Sequence, residues 1–368
     1  MTISPNITNI IWSSSVPDFT LTSASASIAV TLADSEGEAL YSATLYTHNN
    51  SATVYDMRAV IESYMHKWSM EYAEYTLTAT GSDGDNASIS FRVLFCAFDM
   101  PILASAWWET RFLTTLEAKR TYRTSIEKLC FFEEAGNSIT PHYKATLRYG
   151  DIYRTITWYE NPTYMEDTGV ATADYSYDNI KILVGQLELE TLVDLPAELA
   201  YLYDEIVAWS VQIGNRVMSY YLEEGEPDIL IRFDNCFNCF EYASIVGVTT
   251  SKSKTSKSDV TCNRIKVFYD YSFEKTYDVE TTTLTREEAI WMEQIANAHN
   301  TTKAKHGVTN YNLYPTILIE ESEITISDSD EEGNSIKFSY RYADDRNHQH
   351  EYDEYTQIYQ STYDYTYQ

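Results

Sequence analysis

Strict alternation of apolar and polar positions recurs in short stretches along this chain, whereas helical periodicity is rare. Ser25 to Leu32, Tyr75 to Thr80 and Ser88 to Phe95 each follow the period-2 pattern of a strand with one buried face. The Gly81-Ser-Asp-Gly-Asp-Asn86 cluster between the last two predicts a hairpin turn. One segment breaks the pattern: Met57, Val60, Ile61, Tyr64 and Met65 form a stripe at helical spacing, with Asp56 in front of it as an N-cap. Residues 1–100 therefore read as a β-sandwich with one connecting helix.

The alternation continues through residues 101–226 with more aromatic content. Lys128 to Glu133, His142 to Tyr149 and Tyr153 to Tyr159 are strand-like, and Gly150-Asp151 supplies a tight turn between the last two. Asn161 to Asn179 is polar and Tyr-rich, the composition of a long loop. Ile206 to Ile213 and Arg216 to Leu222 flank Gly214-Asn215 as another hairpin. Trp107 and Trp108, placed on a strand, would point to opposite faces, one to the core and the other to solvent or an interface. This second region reads as a further sandwich or partly open barrel.

Residues 227–345 form a third β-region with an inserted helix. Thr285-Arg-Glu-Glu288 matches a capping box, and Trp291 and Ile295 behind it give the helix a buried face. Tyr314 to Glu320 and Ile336 to Tyr342 read as closing strands. Ser251-Lys-Ser-Lys-Thr-Ser-Lys-Ser258, the chain's basic run, has no apolar residue and predicts an exposed loop. Its Lys252, Lys254 and Lys257 are either solvated at a hairpin tip or in contact with an acidic neighbour, such as another copy of the chain. Residues 346–368 are an acidic tail rich in Tyr, including Tyr352, Tyr355, Tyr359 and Tyr363. With almost no aliphatic side chain it cannot build a core alone, so those tyrosines are candidate contacts with a neighbouring subunit. The fold class expected is mainly β: several sandwich- or barrel-like domains with a few short helices.

Composition narrows the partners. The 368 residues hold 44% hydrophobic and 22% charged side chains, which marks a globular chain of more than one domain. The 55 acidic residues outweigh 26 basic ones for a net charge of −29, so nucleic acid and anionic bilayers, which are bound through Lys and Arg, are not expected ligands. The same charge serves solubility or complements a basic subunit. Met1-Thr-Ile-Ser-Pro5 has no signal-peptide pattern and no run of about 18 apolar residues exists, which predicts synthesis in a cytoplasm and no membrane span.

Candidate chemistry is sparse. Cys236 and Cys239 have zinc-knuckle spacing and Cys262 is a third thiol, yet the ligand set is incomplete, and a turn with two small buried thiols is the better reading. Asp328 to Asn334 imitates the start of a calcium-binding loop but has Ser339 where the bidentate acid belongs, so it reads as a polar hairpin loop. No nucleophile elbow, phosphate loop, dinucleotide fingerprint or zinc-protease motif occurs, so no catalytic residue, metal or cofactor is assigned.

Three segments stand in order in the last third: Ile229-Leu-Ile-Arg-Phe-Asp-Asn-Cys-Phe-Asn-Cys-Phe-Glu-Tyr242, the stretch Lys275 to Ile295, and Ile336-Lys-Phe-Ser-Tyr-Arg-Tyr-Ala-Asp-Asp-Arg-Asn347. With the acidic tail behind them, they resemble a group of virion proteins from phages and prophages of gut Bacteroidetes that build the tail or baseplate. In that group the Phe-Asp-Asn-x-Phe-Asn frame matters more than the cysteines. The resemblance implies a bacteriophage structural protein, residing in the virion, with other tail subunits and further copies of itself as partners. Two other classes stay open. One is a receptor-binding adhesin that reads a host surface glycan on exposed aromatics, and the other is a glycan hydrolase, which needs only two suitably spaced carboxylates.

Overall fold

The computed structural model describes residues 1–133, 142–149, 152–159, 169–176, 206–262, 265–304, 315–327 and 333–343. Strands dominate, as the alternation requires. In the first part, β1 (Thr2–Ser4), β3 (Phe19–Thr22) and β6 (Ser51–Val54) form one sheet. A second sheet runs in the order β2 (Ile11–Trp12), β8 (Asn86–Leu94), β7 (Tyr72–Gly81), β4 (Ser27–Asp34), β5 (Ala39–Tyr46). Burial alternates residue by residue along β4 and β7. Their inward set, Ile28, Val30, Leu32, Leu77 and Ala79, meets Phe19, Leu21 and Val54 of the other sheet in one core. Helix α1 (Met57–Lys67) closes it with Met57, Ile61 and Met65, the stripe read from the sequence.

Strands β9 (Ala118–Tyr122), β11 (His142–Tyr149), β12 (Ile152–Tyr159), β14 (Ile206–Ile213) and β15 (Arg216–Glu223) make a five-stranded sheet, while β10 (Ile126–Glu133) pairs with β13 (Gly169–Ser176). Beyond them lie β16 (Ile229–Asp234) and β17 (Phe240–Ile245), buried along nearly their whole length and joined by β20 (Thr301–Lys303). A four-stranded antiparallel sheet follows in the order β18 (Gly247–Cys262), β19 (Ile265–Thr281), β22 (Ser335–Tyr342), β21 (Ile317–Thr325). One core unites these layers: Trp209, Val211 and Tyr220 of the five-stranded sheet, Ile231 and Phe233 of β16, Val279 and Phe338 of the four-stranded sheet, and Trp291 and Ile295 of a helix between β19 and β20.

That helix, Arg286–Asn297, starts with both bonds of the capping box: the Glu288 amide donates to Thr285 Oγ1 and the Thr285 amide to the Glu288 carboxylate. Thr285→Ala is expected to cost about 1 kcal/mol, read as a shift of the urea midpoint at constant slope. An unchanged midpoint would show that the tertiary contacts of Glu288 alone hold this end.

Four local expectations are corrected. Asp56 occupies the N-cap position of α1 but has φ +63°, and its side chain makes no capping bond. A cap needs an extended backbone to turn its oxygen onto the first turn. Trp107 and Trp108 lie on a short helix, Ala104–Thr110, not on a strand. Ala104 and Ala106 favour the helix, and Trp107 is buried against Trp12 with Trp108 half-buried beside Phe132. The supposed loop from Asn161 to Asn179 contains β13, whose partner β10 is distant in sequence. The closing strand expected at Tyr314–Glu320 is β21, which starts at Ile317 and runs on to Thr325. Gly150 and Asp151 are outside the described residues, while the strands flanking them pair Tyr149 with Ile152.

Candidate functional site

The basic run is not a loop. Lys252, Lys254 and Lys257 sit in the middle of β18, which pairs antiparallel with β19 from Gly247↔Thr281 to Cys262↔Ile265. Thr is a good strand former, and a partner strand makes a ladder of a segment that has no apolar residues to announce it. Near its root β19 is anchored by β22 through Tyr277↔Tyr340 to Glu280↔Lys337, and Tyr277 and Val279 are buried. At Gly247 a Cβ would meet the Glu280 carbonyl and come within 3.0 Å of Thr281 Cα, so the chain passes here as glycine. From Lys254 outward the two strands leave the sheet as a ribbon roughly 30 Å long.

Every side chain from Val248 to Thr261 is exposed. The lysines are held along the ribbon: Lys252 pairs with Asp278, which raises its pKa through that hydrogen bond, and Lys257 Nζ lies 5.2 Å from the Phe268 ring centroid. A bulge interrupts the ladder between Ser258 and Asp259. Beyond it, Val260 faces Val267 and Cys262 faces Ile265, with Val260 49%, Val267 49%, Ile265 65% and Phe268 65% exposed. An apolar tip of this kind on a projecting ribbon is a surface for contact. Sequence reading missed it because these residues were not seen to share one end of a hairpin.

The turn joining β16 to β17 explains the Phe-Asp-Asn-x-Phe-Asn frame. Asn235 Oδ1 accepts the amides of Phe237 at 2.9 Å and Cys239 at 3.0 Å, and its Nδ2 donates to the Leu113 carbonyl at 2.7 Å and to Glu241. Asn238 takes φ +58°, a left-handed conformation that Asn tolerates. Its Nδ2 donates to the carbonyls of Met65 and Met70 at the end of α1. Phe237 is wedged between Trp12 and Trp107, at 5.6 and 5.8 Å between ring centroids. Cys236 and Cys239 are buried, as read from the sequence, and hydrogen-bond with Cys96 and Cys130 respectively. The thiol contact and burial raise the pKa of Cys236, and burial raises that of Cys239. This turn bonds the sandwich to the remainder of the molecule, and so the arm's sheet has a rigid base.

Behind the turn lies a buried polar network. Lys119 Nζ is 2.7 Å from Glu127 Oε2 and donates to the Tyr242 carbonyl, while Glu241 accepts from Asn235 and from Trp291 Nε1. Burial raises both Glu127 and Glu241, against the pull of Lys119 and these donors. A carboxyl raised above its ordinary 4.5 binds more protons folded than unfolded, so stability falls as pH climbs from that value through the folded one. Denaturation midpoints are expected to decrease as pH climbs above the ordinary 4.5 of these carboxyls, and Glu241→Gln to flatten the slope. A wild-type midpoint rising over that range would contradict the assignment. Glu288 acts oppositely: burial would raise it, but Arg120 and the amides of Thr285 and Arg120 hold it low, so its stabilisation is lost only as pH drops below its ordinary 4.5.

A surface cleft of about 420 Å³ is lined by Arg111, Glu117, Arg120, Tyr221, Glu287 and Glu288. Arg111 pairs with Glu117, and Arg120 Nε lies 2.9 Å from both Glu288 oxygens, so these groups are bonded to one another. Among the described residues no group of three or more His, Cys, Asp or Glu is placed to hold a metal, and no helix is long and apolar enough to cross a membrane. Tyr352, Tyr355, Tyr359 and Tyr363 lie outside the described residues, as do Asp328 to Glu332.

No family model and no curated protein matches the chain. Among solved structures it is similar to native Escherichia coli alpha-2-macroglobulin at TM-score 0.20 and 8% identity, covering 76% of this chain and 21% of that one. A Salmonella alpha-2-macroglobulin mutant gives 0.20 and 7%, covering 76% and 22%. A 1.5-MDa bacterial ice-binding adhesin gives 0.16 and 9%, covering 74% and 88%. The chain spans about a fifth of those macroglobulins. Likeness at this level does not establish a common fold.

Proposed function

We propose that this chain is a structural subunit of a bacteriophage tail or baseplate, and that it enters the particle through contacts made by the β18–β19 arm. The observation that carries the assembly role is the arm itself, a two-stranded ribbon clear of the core on both faces with apolar side chains exposed at its tip. An isolated two-stranded ribbon is marginal in water, and exposed apolar side chains on it gain from being covered. The rigid base under it suits a part that transmits position from one subunit to the next. The phage setting rests on the sequence resemblance. The glycan-reading alternative has less support, because Trp107 is buried and Trp108 half-buried.

The test removes 254–274 and closes Ser253 onto Lys275, a cross-strand pair, with an Asn-Gly turn. The shortened protein is expected to keep its thermal transition, since the excised ribbon contributes no core residue among the described residues, and to be absent from purified particles by mass spectrometry. Incorporation at the wild-type level would overturn the reading.

A further inference from the structure

We infer that the four-stranded sheet is built to continue into the same sheet of a second copy, with the basic edge β18 of one chain pairing with the acidic edge β21 of the next. This rests on the assembly role proposed above and names the partner. Among the described residues the order β18-β19-β22-β21 leaves β18 and β21 as the two edges. They carry opposite charge: Lys252, Lys254 and Lys257 against a single Asp259 on β18, and Glu320, Glu321 and Glu323 without a cation on β21. Glu320, Glu321 and Glu323 are exposed, as are the three lysines. Lysines on an edge ordinarily discourage strand pairing. They do so against neutral or basic edges and thereby select an acidic one.

Strand direction fits as well. All three pairings in the sheet are antiparallel, so its two edge strands run in opposite directions. A second copy in the same orientation therefore presents its β18 antiparallel to β21, and the alternation continues unbroken. Register adds a constraint. Ser339 lies beside both Glu321 and Asp278, and Asp278 beside Thr250, so a level neighbour would set Glu321 against Thr250. Sliding the neighbour from Thr250 to Lys254, about 13 Å along the strand, sets Glu321 against Lys254 and Glu323 against Lys252. Opposite charges then face each other across the new ladder, an arrangement that favours the pair. The contact is head-to-tail, so it generates a ring if the rotation closes and a filament if it does not. The intrachain partners it displaces, such as Asp278 of Lys252, are exposed ion pairs of little net worth.

Sedimentation velocity on the full chain tests this with two variants, Lys252→Glu/Lys254→Glu and Glu321→Lys/Glu323→Lys. Wild type is expected to self-associate, less so as salt rises, and each variant alone to associate on the order of a hundredfold more weakly. An equimolar mixture of the two restores opposite charges at every contact and is expected to regain association, which misfolded variants could not do. Association of either variant at the wild-type level, a mixture that stays monomeric, or a monomeric wild type each overturns the edge pairing. So does loss of association on truncation after Asp344, which would assign the lysines to the acidic tail. None of these outcomes touches the role of the arm in the particle, which the excision of 254–274 decides separately.

Discussion

Lys119→Met is expected to remove about 3–5 kcal/mol of stability, because it strands a buried carboxylate. Lys119 and Glu127 are 5% and 2% exposed, and their contact at 2.7 Å is supplemented by a Lys119 bond to the Tyr242 carbonyl and by Thr121 donating to Glu127. Without the ammonium, Glu127 keeps only the Thr121 hydroxyl and must stay charged unpaired or take a proton. The cost should shrink at low pH, where protonation is easy. The double variant Lys119→Met/Glu127→Met deletes both charges and is expected to regain most of the loss, since apolar replacements of a buried pair are often neutral or better. Urea denaturation of the two single variants and the double variant closes the cycle. If single and double variants lose equally, the pair is not the cause and packing over the Trp291 ring, 4.8 Å from Lys119 Nζ, would be.

Phe237→Ala is expected to cost a similar amount, about 3–5 kcal/mol, as a large-to-small change in a packed core. Its wider effect distinguishes it from an equal loss elsewhere. Phe237 touches Trp12 of the sandwich and Trp107 of the short helix that follows it, so the cavity opens where separate parts of the chain meet. Hydrogen exchange should then rise together at Ile11–Trp12, at Cys96–Ala97 and along Ala104–Thr110. A Phe19→Ala variant, confined to the sandwich core, should raise exchange within the sandwich alone. Exchange in Phe237→Ala that stays limited to the turn would show that the polar bonds of Asn235 and Asn238 hold the junction unaided.

Much of this fold was legible because its strands are half-buried. Ser25 to Leu32 and Ile336 to Tyr342 alternate in sequence as they alternate in burial, and Thr285-Arg-Glu-Glu288 announced a helix start through local chemistry alone. What failed to show was set by partners far along the chain. The basic run reads as loop by composition, and only the opposing β19 makes it a strand. Gly169–Ser176 is a strand because β10 lies beside it. Adjacent tryptophans suggested a strand where two alanines and the core demanded a helix. The lysines of the candidate site could be named from sequence, but the acidic edge three strands away could not, since which strands end a sheet is a property of topology. The Phe-Asp-Asn-x-Phe-Asn frame stood out without its reason, which is the set of carbonyls at Leu113, Met65 and Met70 that the two asparagines reach.

The bulge between Ser258 and Asp259 has a consequence for how the arm can evolve. On β19 the partners run Asp270 opposite Ser258 and then Phe268 opposite Asp259, so Tyr269 is the extra residue. It acts as a change of phase: even-numbered residues of β19 share a face with Lys254 below it, and odd-numbered ones do so above it. Deleting this one residue would restore regular pairing, with Phe268 directly after Asp270, so Ile265 and Val267 would keep the face they share with Val260 and Cys262 while the local bend and extra twist were lost. A lineage could thus re-aim the arm through its bend alone by a single-codon deletion, with the same side chains still sharing each face of the tip.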